Sequence, residues 1–466
     1  MIQTTTAMNL DTLAARLEGR LVLPDSAEYE ERRKIWNGMI DRRPAAFAVV
    51  KSTADVVAVV KYVRDEGLPV SVCGGGHNVA GNSLIDDGIV IDLREFRSVE
   101  VDAQRRVVRA QGGATLLDIN MAVTPHDLGV PIGVVSDTGV AGLTLGGGLG
   151  WMMRKYGTTS DNLIGAEVVT AQGEVLQINE DQHGDLFWAL RGGGNSPVAV
   201  TRFDYRAYDY GPELDLVFVI HPIEQAHEAL RAFREFAKTA PDEISMIAVL
   251  GPVPPAPEID EQYHHEDCLI FVGVWTGEPG SGDRALAPLK AAPTAIADLS
   301  GRVPRAEVEG FFDPDYPKGH RYYWKSRYID GLPDDAIDFF IEQAKGRPSV
   351  ESTVDIWLLG GALGRMDRTA TAYAHRDAAF GIGIEANWRE PAEDEANIAW
   401  GRGVFAGTAA YSRDGGLYIN FPGFGEEQDD LLRKALGQNY DRLKEVVAKY
   451  DPEGIFTANA HIRVTE

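Results

Sequence analysis

The sequence predicts an α+β protein of more than one domain, and three observations carry that expectation. A βαβ unit is written into 47–72, short β-branched runs follow it through 205, and beyond Tyr208 longer helices alternate with apolar runs. At 466 residues the chain has room for two or three domains and a large core.

The first element is an apolar strand at 47–50. A helix follows with Ser52 or Thr53 at its N-cap, a stripe of Val56, Val57, Val60 and Val63, and Gly67 at its end, before a second strand at 69–72. Gly74-Gly75-Gly76-His77-Asn78 comes directly after that strand. Two β-branched runs at 89–93 and 106–110 and a helix at 114–123 come next. Segments 166–170 and 174–178, joined by Gln172-Gly173, read as a hairpin, and 198–205 as one more strand. Beyond Tyr208 helices are expected at 223–239, 281–293 and 333–345, with apolar runs at 244–251, 268–275, 354–360 and 416–421. The Pro-rich stretch 251–257 is a loop, and 426–450 is helical with a break near Gly437, ahead of a tail at 451–462.

Composition narrows the function. Lys plus Arg number 45 against 70 for Asp plus Glu, a net charge of −25 that repels phosphate backbones and anionic lipid, so neither nucleic acid nor a membrane is an expected partner. Two distant cysteines, Cys73 and Cys268, make neither a disulfide framework nor a thiolate zinc site. The first 20 residues lack a basic segment followed by an apolar one, and Lys51, Asp55 and Lys61 interrupt the most hydrophobic later stretch. The expectation is a soluble, unsecreted, cytoplasmic protein.

Glycine is abundant, 50 residues, and concentrated at 74–88, 133–150 and 192–194, where backbone must come close to something. None of these clusters is a Rossmann G-x-G-x-x-G: the third glycine would fall on Trp151, Met153, Val79 or Pro197. A Walker A loop and a G-x-S-x-G elbow are absent too. What stays open for Gly74–Gly76 is either a tight turn with His77 as an ordinary surface or core histidine, or a pyrophosphate cradle with His77 on its rim.

The stretches VSVCGGGHNVAG (70–81), GVVSDTGVAGLTLGGGLGW (133–151), KYGTTSDNLIGAEVVTAQGEVL (155–176), DLFWALRGGG (185–194), YINFPG (418–423) and YDPEGIFTANAHI (450–462) together resemble FAD-linked oxidases of the vanillyl-alcohol oxidase superfamily. More narrowly they are similar to its bacterial berberine-bridge-enzyme-like branch. The resemblance covers nearly the whole chain in order, with 210–350 its variable part. It implies a PCMH-type FAD-binding domain of two α+β subdomains at 1–208, an α+β substrate domain with an antiparallel sheet at 209–421, and a C-terminal segment, 422–466, returning to the FAD domain.

The resemblance also assigns roles. Gly74, Gly75, Gly76 and Asn78 hold the pyrophosphate. His77 bonds covalently to the flavin 8α-methyl, and Thr138, Gly139, Gly142, Val200, Asn420 and Asn459 complete the cofactor contacts. Many relatives add a cysteinyl bond, at the position of Val135 here, so one bond through His77 is expected. Cys73 stands where relatives often have arginine, and 194–198 departs from the usual G-G-N-F-G. Thr138 either lies over the flavin edge and leaves room for O2 or satisfies a turn before Gly139.

On the strand at 354–360, Asp355, Trp357 and Leu359 share one face, as a pocket wall or a solvated face, and Val354, Ile356 and Leu358 the other. Tyr418 and Asn420 alternate the same way at 417–421, by the resemblance near the flavin and otherwise as core packing. Tyr418 and Asp355 are the candidate proton acceptors, with Asp355 the ultimate one. The run 321–325 reads as core with a snorkelling Lys325, and 264–268, with side chains pointing in opposite directions, carries no expected metal site.

The expected activity is oxidation of a C–H bearing a hydroxyl or amine, on a small organic molecule or natural-product intermediate, with O2 as acceptor. A flavin dehydrogenase using another acceptor, a flavin-oxygenating enzyme acting on a polyketide-like substrate and a flavoprotein without turnover are the alternatives, and oligomeric state is left open.

Overall fold

The computed structural model describes residues 10–194, 196–290, 295–425 and 428–456. Its first layer grows from the βαβ sequence. Ser52 caps the helix Thr53–Glu66 by accepting from Asp55 N at 3.3 Å, and Gly67 ends it at φ 65°, a conformation that favours glycine. Val56, Val59, Val60 and Val63 are fully buried beneath it, each adding roughly 1.5–3 kcal/mol. The strands on either side of this helix, Ala46–Val49 and Val70–Cys73, are not neighbours. Both pair in parallel with Ile89–Asp92, which lies between them, and Arg20–Val22 completes the four-stranded sheet on the Ala46–Val49 edge.

A five-stranded antiparallel sheet follows, in spatial order Val99–Asp102, Val107–Gln111, Val198–Arg206, Leu163–Thr170, Val175–Ile178. It contains the hairpin expected around Gln172-Gly173. The C-terminal helices Gln428–Leu436 and Tyr440–Tyr450, broken at Gly437–Asn439, pack Leu436, Leu443 and Val447 into its core beside Val168, Val200 and Phe203.

The third sheet has seven strands along its path. Ala297–Asp298 stands at one edge, then Glu213–Pro222, Asp267–Trp275, Ile244–Pro252, Thr353–Leu358, Phe380–Trp388 and Arg321–Ile329, with Gly301–Pro304 also pairing with Glu213–Pro222. Helices Ala226–Ala237, Asp334–Lys345 and, as far as it is described, Gly282–Lys290 cover one face over Val354, Ile356 and Leu358. The other face looks toward the glycine-rich loops.

Two readings of the sequence need correction. Lys325 does not snorkel: its residue is 1 % exposed, with the ammonium 4.2 Å from the Phe405 ring centroid. Residues 417–421 are not a strand, because Ser326 takes both backbone groups of Tyr418: its Oγ accepts from Tyr418 N at 2.9 Å and donates to Tyr418 O at 3.0 Å. Phe421 N then closes a turn on Tyr418 O. The rest of the aromatic run 321–325 is core, as expected: Tyr322 and Tyr323 are fully buried on a sheet strand, and Trp324 also reaches the cavity.

Candidate active site

Strand pleating builds one wall of the site. Trp357 pairs with Ile247 and Gly381, Asp355 with Val249 and Gly383, and across the next ladder Tyr328, Ser326 and Trp324 stand opposite Gly381, Gly383 and Glu385. The wall-facing positions of Phe380–Trp388 therefore run Gly381, Gly383, Glu385, and the two missing side chains leave room in front of the sheet. Val354, Ile356 and Leu358 face away, as their alternation requires.

The opposite wall is backbone. Gly75 and Gly139 approach so closely that a Cβ on Gly75 would lie 2.3 Å from Gly139 N. Gly76 sits at φ 73°, where a side chain would be strained. Between the walls lies a cavity of about 260 Å³. Gly74, Gly75, Gly76, His77, Asn78, Thr138, Gly139, Gly142, Val200 and Asn420 line it, together with Tyr418 and Asp355. Asn459 lies outside the described residues.

His77 is held by its neighbours. Its ring stacks on Trp36 at 4.7 Å between centroids, and Trp36 in turn stacks on Tyr322 at 3.7 Å. His77 Nε2 lies 2.7 Å from Asp137 Oδ1 without the alignment of a hydrogen bond. Asn37 ties this corner together, donating to Val79 O at 2.8 Å and Tyr322 O at 2.9 Å. Asn78 Oδ1 accepts from Asn82 N, which shapes the loop after the glycines.

Tyr418 and Asn420 meet by the turn rather than by strand alternation. The Tyr418 hydroxyl oxygen accepts from Asn420 Nδ2 at 2.9 Å and from Gly148 N at 3.2 Å. Burial pushes its ionisation up to about 12, and the Asn420 bond opposes that rise. The two donors offset only part of that rise, so Tyr418 stays a neutral phenol whose hydroxyl proton is directed elsewhere.

Asp355 is 3 % exposed, its Oδ1 has no hydrogen-bond partner, and burial pushes it up to about 7. Glu385, also buried, is raised well above the usual carboxylate range, first by burial and then by Asp355. Tyr316 donates to Glu385 Oε2 at 2.7 Å. Sequence reasoning found Asp355 and missed Glu385 and Tyr316, although the alternation Gly-Ile-Gly-Ile-Glu at 381–385 is a period-two strand signal with a carboxyl on the small-residue face.

The site suits an elongated dinucleotide bearing a planar ring system. A glycine turn packed too tightly against Gly139 to carry a side chain at Gly75, directly followed by His77, lies at one end, and the unpartnered Asp355 Oδ1 at the other. Val135 lines the cavity as well, so no thiol stands there. Among the described residues no group of three or more His, Cys, Asp or Glu is placed to hold a metal ion, and no helix is long and apolar enough to cross a membrane.

Comparison with known proteins matches residues 44–179 to an FAD binding domain and 417–463 to the berberine and berberine-like family. The chain is 26% identical over 448 residues to the FAD-linked oxidoreductase YgaK of Bacillus subtilis, covering 95% of this chain and 96% of that one. It is 28% identical over 478 residues to (R)-6-hydroxynicotine oxidase of Paenarthrobacter nicotinovorans, covering 96% and 97%. Glucooligosaccharide oxidase of Acremonium strictum shares the fold at TM-score 0.87 and 24% identity, over 98% of this chain and 99% of that one.

Proposed function

Given a chain that belongs to the FAD-linked oxidoreductases of the vanillyl-alcohol oxidase and berberine-like family, we propose that it is an oxidase: it removes hydride from a C–H bearing a hydroxyl or amine of a small organic molecule and passes the electrons to O2. The observation that carries this reading is the meeting, in one cavity, of the glycine cradle and His77 with Tyr418 and Asp355.

FAD, when bound, supplies the hydride acceptor. The chain's own residues do the rest. Gly74, Gly75 and Gly76 hold the pyrophosphate by backbone N–H groups, with Asn78, Thr138, Gly139, Gly142, Val200, Asn420 and Asn459 as further contacts. His77 is the covalent anchor at the 8α-methyl. With Asp137 beside Nε2, Nδ1 would be the ring nitrogen free to hold the flavin, and the related glucooligosaccharide oxidase carries a 6-S-cysteinyl, 8α-N1-histidyl FAD. Val135 supports one bond here instead of two. Tyr418 orients the substrate heteroatom, and Asp355 receives the proton that must leave as hydride departs. Thr138, small and on the cavity lining, leaves O2 a path. A cytoplasmic setting belongs to the same proposal, supported by two buried, unpaired cysteines.

The test has two parts. Alcohols, sugars, cyclic amines and phenols are screened anaerobically for flavin bleaching, and the reduced protein is then exposed to air; rapid recovery of the yellow colour identifies an oxidase, and recovery only with an added acceptor identifies a dehydrogenase. Denatured wild-type protein should keep its flavin through His77, and His77→Ala should release it. Complete release from wild type refutes the covalent assignment.

A further inference from the structure

The two buried carboxyls of the sheet wall have no basic partner. Among the described residues neither Asp355 nor Glu385 forms an ion pair, and Asp355 Oδ1 has no hydrogen bond at all. Arg327, whose residue also touches the lining, is turned away: Nε donates to Thr408 Oγ1 at 3.0 Å and the guanidinium lies 4.1 Å from the Phe405 centroid. A methyl group on Gly383 would sit 3.3 Å from Asp355 Cβ and 3.4 Å from Glu385 Oε1, so the absent side chain opens the space between the carboxyls to the cavity. Aromatic rings stand around that space. Trp324 lies edge-on to Tyr316 at 5.2 Å and to Trp36 at 5.0 Å, and Trp357 stands two strands away, across Phe380–Trp388.

An unpaired buried carboxylate is costly, and a nearby second carboxyl makes it costlier; a cation relieves both, and indole and phenol faces attract one. Trp324, Trp357, Tyr316 and Phe312 line the cavity together with the two carboxyls, so this part of the wall pairs aromatic rings with carboxyl groups that lack a basic partner. We propose that this end of the cavity recognises a cationic amine, so that the substrate is a protonated amine on an apolar frame with its nitrogen between Asp355, Glu385 and the Trp324 and Trp357 rings. This deepens the oxidase reading and rests on it for the step that follows binding. The ammonium N–H proton passes to the Asp355 carboxylate. The C–H bond then breaks with its electron pair leaving as hydride to FAD, and the freed nitrogen lone pair forms a C=N bond, giving an iminium ion.

Benzyltrimethylammonium, a permanent cation with no N–H to give, is titrated into the holoenzyme and followed by the flavin absorption spectrum, with benzyl alcohol as the neutral comparison. The wild-type protein should bind the cation at least about tenfold more tightly than the alcohol, and Glu385→Gln should remove most of that preference while leaving alcohol binding within about twofold. Equal or weaker binding of the cation by wild type overturns the proposal whether or not the variant folds. An unchanged preference in a folded Glu385→Gln variant overturns it too. Cation binding with no bleaching by any amine or alcohol would defeat the oxidase reading and support recognition of the amine. Bleaching by alcohols without cation binding would do the reverse.

Discussion

Replacing Asp355 by asparagine removes a carboxyl whose ionisation burial pushes from an ordinary value near 3.8 up to about 7. At 1.36 kcal/mol per tenfold change, the folded protein withholds on the order of 4 kcal/mol from the charged form. The folded state therefore binds more protons than the unfolded chain between about pH 4 and pH 7, so this group's contribution to stability is greatest below that window and falls as pH rises through it. The variant lacks the term. Its stability relative to wild type should rise by up to ~4 kcal/mol from about pH 4 to about pH 7.5. Catalysis has the opposite slope, because the acceptor of a proton must be ionised. With any substrate that bleaches wild type, anaerobic flavin reduction should climb about tenfold per pH unit below 7 and level off above it, whereas Asp355→Asn should be slower by roughly a hundredfold or more and lack that ionisation. Thermal unfolding and stopped-flow reduction across the same pH range measure both effects. A variant with the wild-type pH profile in both would show that Asp355 neither titrates in this window nor accepts the proton.

Tyr418→Phe removes the hydroxyl on which Asn420 and Gly148 converge; flavin reduction should fall by roughly a hundredfold with FAD still bound, and a wild-type rate would place substrate orientation elsewhere. Thr138→Leu should slow reoxidation by O2 and spare reduction by substrate, which double-mixing stopped-flow separates; equal reoxidation in both proteins removes Thr138 from the oxygen path. Gly75→Ala places a Cβ 2.3 Å from Gly139 N, so the two loops must part at a cost of about 1–3 kcal/mol. Lower flavin content per chain and a lower melting temperature are expected, and full flavin loading would show that the cradle yields.

Local order was legible because its causes are local. Ser52, the valine stripe and Gly67 delimit one helix by themselves, the Gln172-Gly173 turn specifies its hairpin, and the alternation at 354–358 already separates Asp355 and Trp357 from Val354 and Ile356. The glycine-rich motifs around Gly74–His77 and Thr138–Gly142 are local too, and both stand on the cavity lining. Pairing across hundreds of residues was not legible. That Ile89–Asp92 would lie between the two strands of the βαβ unit depends on a parallel register no local pattern encodes. Alternation at 417–421 predicts a strand because the signal is the same whether or not a neighbour supplies the ladder; the Ser326 side chain, 92 residues away, takes the Tyr418 backbone bonds instead. Glu385 became a site residue only when Gly383 registered against Asp355, bringing two carboxyls 30 residues apart in sequence onto one buried face. Burial then set their protonation, and burial is a property of everything packed around a group: the chain's own order determined which residues could do chemistry, and the tertiary structure decided which of them stand out of water together.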